Sequence, residues 1–549
     1  MTEVANLAEL RNLPHTGFTN GDLFYIKGHS TLGDGGGGTF MWRTDQIFIN
    51  GIYQNDNNGT IIKTTSIPGQ FVGRFVRQYE GNLNVLYFGA FGKTQDYTNA
   101  FQNAVEFATL NTLNDPELKD SVIYIPNGNY RINQLTLKSG ISLIGESMEK
   151  TLIQTTVGHN VDYMFKIEAG PVILNMSNLF FFGRDETNAG CFLFEAQAIG
   201  DPIQGGLWNS SFKNIQIKGF KGHGIYLMGG EPTIPPSSNP YVAPNQFNTF
   251  ENVRVVKTVN FSNALKMTGQ NGQHTFLNCT FDGYSLNNHT IFPKGHNVNI
   301  SNVGALKTAI LSFINCIFQD ADYGIYIDYA ENINIDGCWF ENLGVAITVN
   351  GTYNSCRDIT IQNNRFANAA GYGSLPVSSG NIKSGQCISI LNSFVNVYNN
   401  YVTVSETDGP HLNPNSSFLI SSNNVLGGVA ISDNVFQVNK LGKTFGVMQV
   451  VDVSTPNKID CGRNKLVFVN TSSTIIKSIV SSINASETIT IRANGGTITF
   501  DNTKNIFLTH RSTFSLANGE IAVFMKIDNI VGSYYETYQL ISVMRAPSP

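Results

Sequence analysis

The sequence predicts an all-β chain wound as a right-handed parallel β-helix, with a small N-terminal module, a capping α-helix and a small C-terminal β domain. Two observations carry that prediction: a four-residue mark that recurs along the chain, and a hydrophobic period of two within each recurrence. The mark is a polar residue, usually Asn, then a residue of buried type, any residue, and an apolar one. It reads Asn178-Leu179-Phe180-Phe181, Asn214-Ile215-Gln216-Ile217, Asn252-Val253-Arg254-Val255, Asn278-Cys279-Thr280-Phe281 and Asn315-Cys316-Ile317-Phe318. It continues as Gly337-Cys338-Trp339-Phe340, Asn363-Asn364-Arg365-Phe366, Asn399-Asn400-Tyr401-Val402, Asp433-Asn434-Val435-Phe436 and Arg463-Asn464-Lys465-Leu466. The spacings are 36, 38, 26, 37, 22, 26, 36, 34 and 30 residues, so ten turns of one unit are expected.

Each element follows from strand chemistry. Val, Ile and Phe alternate inside the marks, Gly or Asn stands at the bends, and second strands are expected at Gly224 to Leu227, Gly324 to Ile327 and Gly344 to Val349. Such short strands cannot bury a face alone. Stacked at ~4.8 Å they give every backbone N–H and C=O a partner in the next turn, and like residues fall above one another. The asparagines then form a hydrogen-bonded column, and Cys279, Cys316 and Cys338 an internal column of thiols. A propeller would need a steadier blade length, and an antiparallel sandwich more hairpin dipeptides than the chain holds.

Only 14% of the 549 residues are charged, the net charge is -5, and 53 residues are glycine. No Lys/Arg-rich run is present, which argues against nucleic acid as the main partner. No apolar run approaches the ~20 residues of a membrane span, and the first residues lack a basic segment followed by an apolar one, so neither membrane insertion nor a signal peptide is expected. The seven cysteines show no zinc-binding spacing and read as reduced, buried thiols. No metal or other cofactor is expected. Gly33 to Gly38 lacks the Gly-Lys-Ser/Thr ending of a phosphate loop and reads as a packing turn.

Residues 1-82 read as the N-terminal module, 83-470 as the β-helix and 471-549 as a β-rich C-terminal domain. Within the second, Asp96 followed by Ala100, Phe101, Ala104, Val105 and Ala108 reads as a capped amphipathic helix that covers the open first turn.

The segments GDGGGGTFMW (Gly33 to Trp42), LNVLYFGAFG (Leu83 to Gly92), IYIPNGNYRI (Ile123 to Ile132) and ISLIGES (Ile141 to Ser147) resemble the pectate-lyase-like β-helix superfamily. Within it they look most like the tailspike polysaccharide depolymerases of bacteriophages. One departure is Gly92-Lys93-Thr94-Gln95, where the family usually has Gly-Asp-Gly; it touches the cap and leaves the site expectation alone. The resemblance implies a homotrimer in a virion tail, attached through its N-terminal module. It further implies that the trimer acts outside the cell by binding and cleaving a bacterial capsular or O-antigen polysaccharide. Bacterial relatives with the same N-terminal module keep a bacterial origin open.

The repeat register turns sequence into a candidate site. If the second and fourth residues of each mark point inward, the third points out, giving the column Thr280, Ile317, Trp339, Arg365, Tyr401. Aromatic rings stack on pyranose faces and Arg pairs with acidic sugars, so Trp339, Arg365 and Tyr401 are the candidate substrate-binding residues; a trimer contact would favour the same types. The fifth position reads Asp282, Gln319, Glu341, Ala367, with Asp320 and Asn342 one step on. Glu341 and Asp320 therefore lie on adjacent turns and are the candidate acid/base pair, with Asp322 or Asp282 as alternates. Glycosidases use two carboxylates ~5 to 5.5 Å apart for retention and ~6.5 to 9.5 Å for inversion, and this stacking allows either. The competing chemistry is β-elimination from a uronate polymer, with His274, Tyr284, Lys294 or His296 as base and Arg365 as counter-cation. A third reading is a receptor-binding spike without chemistry. The segments Gly229 to Asn245 and Ala370 to Cys387 interrupt regular turns and are candidates for specificity loops.

Overall fold

A computed structural model describes the chain outside a set of segments, the longest being 231–242, 284–294, 368–385, 405–418 and 528–536. From 402 to 474 it describes the backbone alone. By compactness the chain divides into two units, Met1–Thr280 and Phe281–Pro549, and both are built mainly of right-handed parallel β-helix.

The first unit opens with a small sheet in the order Thr2–Val4, Leu23–Ile26, Gly38–Arg43, Arg74–Gln78, Ile61–Ile62. Its core is Phe24, Phe40, Trp42 and Phe75 with Leu7 and Leu10 of the helix Leu7–Asn12. The glycine run Gly33 to Gly38 is held by its own acid: Asp34 accepts backbone N–H bonds from His29, Ser30, Thr31 and Gly36. Arg77 donates to the carbonyls of Gly36, Gly37 and Gly59 and lies 4.5 Å from the Phe40 and Tyr87 ring centres. The next element is the helix Thr98–Asn114. Asp96 accepts the Thr98 N–H at its start, and Ala100, Phe101, Ala104, Val105 and Ala108 are buried, as their spacing requires.

The turns then stack. Leu174–Phe182, Ser211–Lys218 and Thr249–Lys257 pair in parallel, with Leu179 opposite Ile215 and Ile215 opposite Val253. Asn178, Asn214, Asn252 and Asn278 all adopt left-handed backbone, φ 51 to 58°. Asn is among the few L residues that tolerate this bend, and its amide both donates and accepts. The column therefore propagates: Asn252 donates to Asn214 at 2.9 Å and Asn214 to Asn178 at 3.1 Å. Inside, Phe212, Phe250 and Phe276 stack with centroids 4.8 Å apart, the spacing of the turns themselves.

In the second unit Ile317–Asp328 pairs in parallel with Trp339–Asn350, and the marks at Arg365–Ala367, Tyr401–Val404 and Val435–Val438 follow in register. Phe281, Phe318, Phe340 and Phe366 form the internal ring stack. Beside it the second mark residues form an inner ladder in which Cys338 N–H donates to Asn364 and Asn364 N–H to Asn400. The six cysteines whose side chains are described are buried and form no disulfide with one another.

Two expectations need correcting. The second strands at Gly324 and Gly344 are not separate elements. Each continues from its mark as one 12-residue strand, bent at Asp320 (φ 56°) and Asn342 (φ 52°). The tenth mark is no rung of the mark column either: Leu466–Asn470 pairs with Gly446–Asp452, a member of the second column, while Arg463 to Lys465 lie outside the described residues. Parallel pairing runs on from Leu466–Asn470 to Thr488–Asn494. Antiparallel pairing begins where Thr488–Asn494 meets Ile521–Ile527, around a core that includes Ile489, Phe500, Phe524 and Tyr538.

Candidate active site

The outward column of the second unit is assembled by backbone register. Ile317 pairs with Trp339, Trp339 with Arg365 and Arg365 with Tyr401. Thr280 ends the other unit. The Arg365 guanidinium stands 4.8 Å from the Trp339 ring centre and 5.5 Å from that of Tyr401, so three successive turns present ring, cation and ring. Stacking of this kind keeps the cation desolvated on its faces and leaves its N–H edge for an anionic group.

One step along, Gln319 is the register partner of Glu341, and Glu341 of Ala367. The Trp339 indole N–H donates to Glu341 Oε2 at 3.1 Å, tying the carboxylate to the aromatic column. Asp320 and Asn342 occupy the same left-handed bend on adjacent turns, and Asn342 Nδ2 donates to Asp320 Oδ1 at 3.1 Å. The Asp320 carboxyl is pushed up to about 7. Burial is the main cause, the Asn342 hydrogen bond opposes it, and the charges of Asp282 and Glu341 add to it. Asp320, Asp282 and Glu341 thus form one electrostatic group, and Asp320 holds its proton near neutrality.

The remaining candidates separate. Asp282 is 3% exposed, and Asp322, 9% exposed, accepts the Gly295 N–H at 3.2 Å. Of the other acids between Gln319 and Glu341, Glu331 pairs with Lys307 at 3.2 Å and Asp336 accepts from Gln362 and Asn363, which are structural bonds between turns. Among the elimination candidates, His274 is 1% exposed, its ring held in the interior near Asn248 and its pKa lowered by burial to about 3. It cannot meet a polymer. Tyr284 and Lys294 lie outside the described residues. His296 stacks on Tyr323 at 4.7 Å and packs against Tyr326 at 5.0 Å. Sequence reasoning missed Asn342 as the partner of Asp320, although its place one turn on in the same bend was the available signal. Most of both proposed loop segments also lies outside the described residues.

Carboxylates and a ring-and-cation ladder thus share the outward line of a right-handed parallel β-helix. Residues 3–80 match the family described as phage tail protein small four-stranded β-sheet domain, and residues 82–188 match rhamnogalacturonase A/epimerase, pectate lyase-like. No curated protein matches the chain by sequence. Among solved structures it is similar to the tailspike protein gp49 of Acinetobacter baumannii bacteriophage Fri1, a capsular polysaccharide depolymerase. That match has 14% identity and a TM-score of 0.50, covering 81% of this chain and 76% of that one. It is similar along its whole length to the gp42 tailspike of Acinetobacter phage vb_AbaP_AS12, with 12% identity and a TM-score of 0.51, covering 94% of that chain. It also resembles the N-terminal fragment of bacteriophage Phi29 gene product 12, with 14% identity and a TM-score of 0.51, covering 75% of this chain and 66% of that one. These likenesses show the fold, and with the two family matches they make the tailspike resemblance plain.

Proposed function

We propose that the protein is a tailspike-type depolymerase that hydrolyses a bacterial capsular or O-antigen polysaccharide. Asp320 is the general acid and Glu341 its partner base, and Trp339, Arg365 and Tyr401 hold the glycan. The observation that carries this reading is the pairing of Asp320, a carboxyl kept protonated near neutrality, with Glu341 on the adjoining turn. Protonation of the glycosidic oxygen needs an acid that still holds its proton at the working pH, while the second carboxylate acts on the opposite side of the bond. Asp282, buried beside Asp320, serves as the charge that helps raise it. The Trp339 bond fixes Glu341 Oε2 and leaves Oε1 for chemistry.

The phage-tail match at residues 3–80 supports a virion-tail location with attachment through the N-terminal module. Assembly as a homotrimer is part of the same reading. The test is incubation with a panel of purified capsular and O-antigen polysaccharides, with products sized by gel filtration. Hydrolysis shortens one polymer without raising ultraviolet absorbance; β-elimination shortens it and adds the absorbance of an unsaturated uronate, which would replace the mechanism. Glu341→Gln retains the shape and is expected to lower the cleavage rate by at least 10²-fold while binding persists. Full activity in that variant, or binding of a polymer with no shortening, overturns the assignment.

A further inference from the structure

The first unit carries a separate outward column. Along it Lys166 pairs with Leu193, Leu193 with Tyr226 and Tyr226 with Lys266 on successive turns. Lys266 Nζ stands 4.7 Å from the centre of the Tyr226 ring and is half-buried, which lowers its pKa. Among the described residues no carboxylate pairs with Lys166 or Lys266, and the nearby Glu195 accepts from Gln197. A half-buried ammonium without a counter-charge is costly unless an anion completes it.

Three further side chains shape the same place. The Tyr163 ring lies over Gly190, where a Cβ would collide with it, and reaches to 6.4 Å from the Tyr226 ring. His223 packs edge-on against Tyr226 at 5.6 Å, and its Nδ1 accepts the Asn263 N–H at 3.2 Å, which leaves the ring proton on Nε2 as a donor. Burial and Lys266 lower the His223 pKa to about 4, so the ring is neutral at physiological pH. The Tyr226 hydroxyl is shared with Thr268 at 2.9 Å. The Tyr163 and Tyr226 faces, the Lys266 cation and an imidazole N–H donor therefore meet around Tyr226, with Lys166 farther along the same line, three turns from Lys266.

We infer that this face is a second carbohydrate site, selective for acidic sugars. It stacks a sugar ring on Tyr163 and Tyr226 and pairs its carboxylate with Lys266. The inference does not depend on the catalytic reading, since it concerns binding at residues that the cleavage chemistry does not use.

The test is calorimetric titration of the full chain with tetragalacturonic acid, with the fully methyl-esterified tetramer as a neutral control of the same shape. The acid is expected to bind, the ester roughly tenfold or more weakly, and Lys266→Gln to weaken the acid by roughly tenfold through loss of one charge-assisted bond. Tyr226→Phe, which leaves the ring and its contact with Lys266, is expected to keep most of the affinity and guards against a folding artefact. Equal binding of acid and ester, no binding of the acid at millimolar concentration, or an unchanged affinity in a folded Lys266→Gln variant overturns the inference.

Discussion

Replacing Asp320 by Asn is expected to change how stability depends on pH, and the size of the change follows from the site. The carboxyl rises from its ordinary 3.8 to about 7 in the folded chain. At about 1.36 kcal/mol per pH unit this would amount to about 4 kcal/mol, and solvent screening of a group still partly open to water reduces it to about 2 kcal/mol. The sign is set by which state holds the proton. Below pH 3.8 both folded and unfolded chains carry it, and Asp320 contributes its full stability. Between 3.8 and about 7 the unfolded chain ionises while the folded chain does not, so wild type loses stability as pH rises, and the loss is complete above about 7. Asn has no such titration, and it is as much at home as Asp in the left-handed bend at φ 56°. The assay is a series of thermal melts of both proteins between pH 4 and 8. The Asn variant should gain on wild type across that interval and level off above pH 7. A difference that stays flat, or one that grows toward acid, refutes the burial and charge argument for Asp320.

Two further outcomes follow from bonds in the second unit. Trp339→Phe keeps a ring against Arg365 but removes the N–H donated to Glu341, so kcat on the identified glycan is expected to fall about 10- to 100-fold with KM changed by no more than about twofold. Steady-state kinetics separates this from a pure binding role, in which KM alone would rise. Asn364→Ala removes the acceptor of the Cys338 N–H and the donor to Asn400 Oδ1 in the buried ladder, and is expected to cost about 1–3 kcal/mol. Urea unfolding measures it, and a midpoint equal to that of wild type would mean that the ladder contributes no net stability.

The stacking of turns was legible because it is written locally. A period-two run flanked by a residue that accepts left-handed backbone is recognisable without knowing its neighbours, and nine of the ten marks are read correctly as strands of a mark column within their own unit. The tenth shows the limit: Leu466 ends a run of the same pattern, but which column a strand joins depends on the path of the chain between turns, which no local pattern encodes. Alternation likewise placed Trp339, Arg365 and Tyr401 on one outward line and Glu341 one turn from Gln319. It could not show that the Trp339 indole turns toward Glu341, or that Asn342 rather than a second acid faces Asp320. The elevated proton affinity of Asp320 also required tertiary structure, because it arises from burial and from the charge of Asp282, 38 residues away along the chain. Sequence by itself determined the repeat, the inward and outward faces and the residues that share a column. Tertiary structure decided which carboxyl is desolvated and which side chains touch, since both depend on contacts between turns that only the wound chain brings together.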